Sequence, residues 1–151
     1  MEDLKDALNR SLPEDIRIIR VELLRNGFHA SKSAKGKKYE YSIYRMEKPH
    51  VFSRKYCYHY PVKLDIEAMR DAADYLVGTK DFTSFTDNRE TRDTIRRIYS
   101  IKVVRAGDKV RITYYGSGFM YHMARILTGT LIEVGAGKRE ASNLPLVLEA
   151  K

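Results

Sequence analysis

The stretch TIRRIYSIKVVRAGDKVRITYYG, residues 94–116, decides the fold. Two runs rich in Ile, Val, Tyr and Thr flank Ala106-Gly107-Asp108, the pattern of an antiparallel hairpin turning at those three residues. Directly behind it comes GFMYHMARILTGTLIEVGAG (118–137), where Phe119, Met123, Ile126, Leu127, Leu131 and Val134 recur at helical spacing. A second helix stands before the hairpin, with Asp65 as N-cap, Glu67 in the first turn, and Ile66, Met69, Ala72, Ala73 and Leu76 along one face. Gly78 closes it. Helices inserted between antiparallel strands argue for an α+β domain with its helices packed on one face of the sheet, and against a parallel doubly wound sheet.

Working outward, KKYEYSIYRM (37–46) sets Tyr39, Tyr41 and Ile43 on one face against Lys38, Glu40, Ser42 and Tyr44 on the other, the period of a strand. IRIIRVELLR (16–25) reads as a strand, Asn26-Gly27 as a tight turn, and FHASKSA (28–34) as its antiparallel return. KYCYHYPV (55–62) is strand-like. Residues 2–11 carry Leu4, Ala7 and Leu8 at helical spacing, and Pro13 limits that helix. DFTSFTDNRET (81–91) is a polar, turn-prone loop of functional length, and LPLVLEAK (144–151) starts a last helix. With 151 residues, 43% of them hydrophobic, the chain suffices for a single domain over residues 1–151.

The net charge of +8 is concentrated. Between Arg17 and Lys55 eleven Lys and Arg face three Glu, which accounts for the whole excess. A basic third beside a neutral remainder fits a polyanion-binding face, although a well-solvated surface would also carry it. No apolar run is long enough to span a bilayer, and MEDLKDALNR has neither the basic start nor the apolar core of a signal peptide. The lone Cys57 forms no internal disulfide and fits a reducing, cytoplasmic setting as a small packed residue. His29, His50, His59 and His122 show no metal-type spacing with Cys57, so no metal site is expected. GSG (116–118) lacks the rest of a phosphate-loop fingerprint and reads as backbone clearance and a helix start.

Two features point to chemistry. In FHASKSAKGKKYEYSIYR (28–45), Tyr39 stands among Lys32, Lys35, Lys37, Lys38 and Arg45. That combination suits a base stacked on a ring while cations hold phosphates, unless Tyr39 and Tyr41 simply belong to the core. The second is Arg125, near the edge of the apolar stripe of the last long helix, with no acidic residue three or four positions away on either side. A guanidinium held inside the fold without a local partner requires one from elsewhere. Arg92, Arg96 and Arg97, with Arg89, read as a second basic patch or a solvated strand edge.

ALNRSLPEDIRI (7–18), FHASKSAKGKKYEYSIYR (28–45), DFTSF (81–85) and GSGFMYHMARILTGTLIEVGAGKR (116–139), in this order and spacing, closely resemble the TruA family of tRNA pseudouridine synthases over nearly the whole chain. The family's pattern F-x-x-x-M-V-R-x-x-V-G appears as Phe119, Met123, Ala124, Arg125, Thr128 and Gly129, so Ala124 and Thr128 depart from it. The resemblance implies isomerisation of uridine to pseudouridine in the tRNA anticodon stem-loop without a cofactor. It implies further that Tyr39 stacks on the flipped target base and that Arg125 pairs with the catalytic aspartate. It also implies a ferredoxin-like half of an extended pseudo-twofold sheet, and a homodimer.

The family's aspartate lies in an R-T-D-x-G-V-H-A motif upstream of the segment matching ALNRSLPEDI, and its closing G-L-x-L strand should follow Lys151. Neither occurs in these 151 residues. The expectation is an interior and C-terminal part of such an enzyme, missing motifs at both ends, inactive alone, with a sheet edge left open. Asp87 sits in a different loop from the family's aspartate and is a poor substitute. The alternative is a non-catalytic RNA-binding module that uses the same basic, tyrosine-bearing face.

Overall fold

A computed structural model of the chain describes residues 1–24, 26–88, 90 and 92–150. Arg25 of the basic third and Arg89 of the second patch lie outside them. The chain divides into two compact units, Met1–Ala34 and Lys35–Lys151.

In the first unit, helix α1 (Glu2–Ser11) is amphipathic but buries no residue. Asn9 clasps the following segment from both sides, its Nδ2 donating to the Ile18 carbonyl at 3.0 Å and its Oδ1 accepting from the Ile18 amide at 2.7 Å. The expected strand over 16–25 is absent: the described residues 16–24 pair with no strand, and Ile19 and Leu23 are almost fully exposed. The reason is local. The anticipated return segment curls on itself, with the Ser33 amide donating to the His29 carbonyl at 2.8 Å and the Ser33 hydroxyl accepting from the His29 amide at 3.0 Å. Short polar side chains offer the backbone an alternative to a ladder, and β-branched residues alone cannot form one.

The second unit is a five-stranded sheet with helices packed against it. Its strands are β1 (Lys37–Tyr44), β2 (Tyr58–His59), β3 (Gly78–Asp81), β4 (Ile95–Ala106) and β5 (Lys109–Gly116), in the order β2-β1-β5-β4-β3. The hairpin is β4–β5, joined through Gly107 and Asp108 with Gly107 at φ 58°. β5 pairs antiparallel with β1 along its whole length, from Lys37 opposite Gly116 to Tyr44 opposite Lys109. One expectation needs correction: the sheet is mixed, because β2 runs parallel to β1. β2 is also far shorter than KYCYHYPV implied. It covers only Ile43 and Tyr44, so the outer edge of β1 from Lys37 to Ser42 has no strand partner among the described residues.

Helix α2 (Ile66–Leu76) starts at Asp65, whose carboxylate accepts from the Ala68 amide at 3.1 Å. It buries Met69, Ala72, Ala73 and Leu76, the face read from its spacing. Helix α3 (Met123–Gly135) lies beside it. The close approach requires Gly135, where a Cβ would meet the Met69 thioether at 2.7 Å. Together they cover Ile43, Val103, Val110, Ile112 and Tyr114 on one sheet face. The opposite face is polar and carries Lys38, Lys102, Lys109 and Arg111, the last paired with Glu40 at 3.2 Å. Helix α4 (Leu144–Glu149) buries Leu144.

DFTSF is a structural anchor rather than an open loop. Phe82 and Phe85 are buried edge to face, and Asp81 Oδ1 accepts from the Thr83 amide and hydroxyl and from the Thr94 hydroxyl at 2.6–3.1 Å.

Candidate nucleic-acid site

α3 begins four residues later than the periodicity implied. Residues 118–122 are not helical; His122 takes a left-handed turn (φ 54°, ψ 2°) immediately before the first helical residue. Phe119 is therefore no part of the helix stripe. It leaves the end of β5 and sets its ring edge against Tyr39, with centroids 5.1 Å apart at 74°. Gly116 permits this path, because a Cβ there would lie 2.8 Å from the Arg97 carbonyl and 3.2 Å from the Phe119 ring. The glycine reading of GSG as clearance holds at Gly116, while the helix start belongs downstream.

Two clefts on the helix side of the sheet share Tyr41 and Arg125 as walls. One, of about 430 Å³, is lined by Tyr39, Tyr41, Phe119, Tyr121, His122 and Arg125 among others. The other, of about 480 Å³, runs along α3 beneath Tyr41, Tyr58 and Tyr60, with Arg125, Gly129, Ile132 and Glu133 at successive turns of one helix face. Tyr39 is 44% exposed, so it is a cleft residue and not core. Burial deepens along β1, through the partly buried Tyr41 to the fully buried Ile43.

Arg125 differs from expectation in one respect. It is exposed at the cleft rather than held inside the fold. In the other respect it conforms: among the described residues no carboxylate lies within ion-pairing distance of it. Glu133, two turns along the same face, is committed to Arg139 at 3.0 Å. Asp87 is committed too. Its Oδ2 accepts from His122 Nδ1 at 2.6 Å, and the Tyr121 ring stacks on that imidazole at 3.8 Å. His122 thus reaches the cleft, whereas His29 belongs to the first unit.

The expected cations do not form one cluster. Lys37 shares the strand parity of Tyr39, whereas Lys38 lies in the groove of the opposite sheet face. Lys35 precedes β1 and is exposed; Lys32 lies in the first unit. Arg45 is a clear departure. It sits past the far end of β1, roughly 20 Å of extended chain from Tyr39, with its Nε and Nη1 buried and without a hydrogen-bond partner. In the second patch, Arg96 pairs with Asp93 at 3.2 Å, and Arg97 lies over the Tyr99 ring at 5.5 Å.

Beneath the cleft, the departures from the family pattern fit each other. Thr128 is buried. Its hydroxyl donates to the Ala124 carbonyl at 2.8 Å and accepts from the Tyr114 phenol at 2.9 Å. Burial pushes the Tyr114 phenol well above the usual tyrosine range, with Thr128 opposing the shift. The Asp87–His122 pair could not be read from one sequence, since the two lie 35 positions apart and no periodicity marks them.

Comparison with known proteins places the chain. The chain is 44% identical over 146 residues to tRNA pseudouridine synthase A of Bacillus licheniformis, covering 96% of this chain and 59% of that protein. It is 42% identical to the protein of the same name from Bacillus subtilis, with the same coverage, and 44% identical to that of a Geobacillus strain over 97% and 60%. The chain thus spans about three fifths of the length of these relatives. The family model described as tRNA pseudouridine synthase matches residues 72–151, which hold β4, β5, α3 and the arginine of the shared cleft wall. The α+β fold, the cleft and this match together make the chain a member of the tRNA pseudouridine synthase family.

Proposed function

We propose that this chain forms the base-receiving part of a tRNA pseudouridine synthase, and that its substrate is uridine in the anticodon stem-loop of tRNA. The observation that carries this reading is the pairing of Tyr39 with Arg125. An exposed, edge-buttressed phenol ring and a guanidinium without a carboxylate partner among the described residues line one cleft. A uridine taken out of its stack would lie on Tyr39, where base–aromatic stacking holds any flipped base. Arg125 would receive the catalytic aspartate in a bidentate, charge-assisted pair, which orients the carboxylate and keeps it ionised. Isomerisation breaks the N-glycosidic bond, turns the base over and rejoins it through carbon, so the base must be held and water kept out throughout. The ring wall of Tyr39, Tyr41 and Phe119 suits that task.

Lys35 and Lys37, with Lys38 from the opposite sheet face, hold the phosphates of the substrate in this reading, and Arg45 takes no part in the cleft. In this reading the reaction needs neither a cofactor nor a metal. Residues 1–151 act as one functional piece in the cytoplasm, and two copies associate, the unpaired edge of β1 offering a route. Size-exclusion chromatography tests the last point, and a strict monomer at high concentration contradicts it. The 151 residues contain no R-T-D-x-G-V-H-A motif, and Asp87 is held by His122, so the chain alone binds tRNA and isomerises nothing. Tritium release from tRNA labelled at uridine C5 tests this. Turnover by the isolated chain overturns it.

A further inference from the structure

We propose that Tyr121, seated on His122, is a second stacking platform, and that it takes a nucleobase neighbouring the one on Tyr39. The proposal rests on the RNA-binding reading above and adds to it a subsite that Tyr39 and Arg125 do not supply.

Tyr121 is 62% exposed although one ring face is covered by the His122 imidazole, with centroids 3.8 Å apart and planes 26° from parallel. What remains accessible is the other ring face and the edge. An exposed aromatic ring is ordinarily free to rotate, and freezing it on binding costs rotamer entropy. Here the ring is already held. Asp87 fixes the imidazole through Nδ1 at 2.6 Å, and the Thr86 hydroxyl fixes the Tyr121 backbone by donating to its carbonyl at 3.1 Å. The Asp87 carboxylate accepts only, so Nδ1 is the protonated nitrogen and the imidazole is locked face-on to Tyr121. The hydrogen bond thus orients an aromatic stack, and nothing buried is gained in exchange.

The position matches a base rather than a peptide or a membrane. Tyr121 lines the cleft that also holds Tyr39 and Arg125, so two open rings border one cavity of about 430 Å³. Successive aromatic platforms beside cations are what a single strand with splayed bases requires, and stacking accepts any base because every base has a π-face. The ligand class is therefore a single-stranded or locally unstacked ribonucleotide segment, of which Tyr39 holds one base and Tyr121 an adjacent one.

The test is equilibrium binding of the 151-residue chain to a fluorescently labelled oligouridylate, followed by anisotropy over a series of salt concentrations. Tyr121→Ala is expected to weaken binding by about 5- to 150-fold while leaving the slope of log K against log salt unchanged, because stacking releases no counterions. Tyr121→Phe keeps the ring and binds like the parent chain. Asp87→Ala, which unlocks the imidazole, weakens binding in the same direction but less. Substituting Lys37 and Lys38 by Ala instead flattens the slope, by about 0.7 for each phosphate that is no longer neutralised. Tyr121 buries little, so an unchanged circular dichroism melt verifies that Tyr121→Ala is folded. Equal affinity of Tyr121→Ala and the parent chain overturns the platform, as does a weakening accompanied by a flattened slope. A parent chain that binds no RNA at all overturns the proposed function itself, a result recognisable because every variant is then equally inert.

Discussion

Helix α3 has two working faces, and they obey different rules. On one, Met123, Leu127, Leu131 and Val134 are buried against the sheet and α2, and Thr128 closes a hydrogen-bonded chain from Tyr114 to the Ala124 carbonyl. On the other, Arg125 and Gly129 are exposed at the clefts, with Tyr121 and His122 just before the first turn. The first face is dictated by packing, where every polar group finds a partner. The second keeps an arginine that no described carboxylate pairs with, and an aromatic pair that no core demands. A helix needs the first face to exist, and the second is the face proposed to meet the substrate. Substitutions on one face should therefore cost stability, and on the other they should cost binding or turnover at unchanged stability.

The largest expected effect breaks the packed face. Leu127 is fully buried, and Leu127→Ala should destabilise by about 2–5 kcal/mol, read from the midpoint of urea unfolding. Next comes the Tyr114–Thr128 bond. Thr128→Val leaves a buried phenol without its acceptor and should cost about 1–3 kcal/mol. Tyr114→Phe costs less, about 0.5–1.5 kcal/mol, and the double variant should cost less than the two singly added, because it strands no hydroxyl.

The same phenol gives a pH dependence. Burial raises its folded-state pKa, so the folded protein retains a proton that the unfolded chain releases near pH ~10. The unfolded state then binds fewer protons, and this contribution to stability, full below pH ~10, is lost as pH rises beyond it. Tyr114→Phe should lose thermal stability less steeply over that range than the parent chain. The smallest effect on stability sharpens the other side of the comparison. Arg125→Ala should stay within about 0.5 kcal/mol of the parent, since the side chain is exposed and makes no ion pair with a described residue.

Much of the second unit was legible in residues 94–116 and 65–78, because hairpin and amphipathic patterns report burial directly. Asp65 as N-cap and the Met69–Leu76 face needed nothing beyond their own neighbours. Residues 16–24 and 28–34 misled because a strand exists only with a partner, and FHASKSA spends its polar groups on a turn. The start of α3 misled because Phe119 keeps helical spacing with Met123 while packing on Tyr39 instead. At the site, Tyr39 and Arg125 were legible as residues, but not as neighbours. Arg45 looked like one of the lysine cluster because strand length, invisible in a count of charges, carries it to the far end of β1. The Asp87–His122 link behind Tyr121 was hidden altogether, since only the fold joins residues 35 positions apart.

The most direct measurement is tritium release from uridine-labelled tRNA by the 151-residue chain and by the same chain joined to the upstream part of the Bacillus licheniformis relative, each with Arg125 and with Arg125→Ala. The expected result is no release by the chain alone and release by the joined protein. Removing Arg125 should then lower that release by about 10²-fold or more at unchanged melting temperature, since the carboxylate loses the partner that orients it. Release by the chain alone, or a joined protein indifferent to Arg125→Ala, would contradict the proposed role of this arginine.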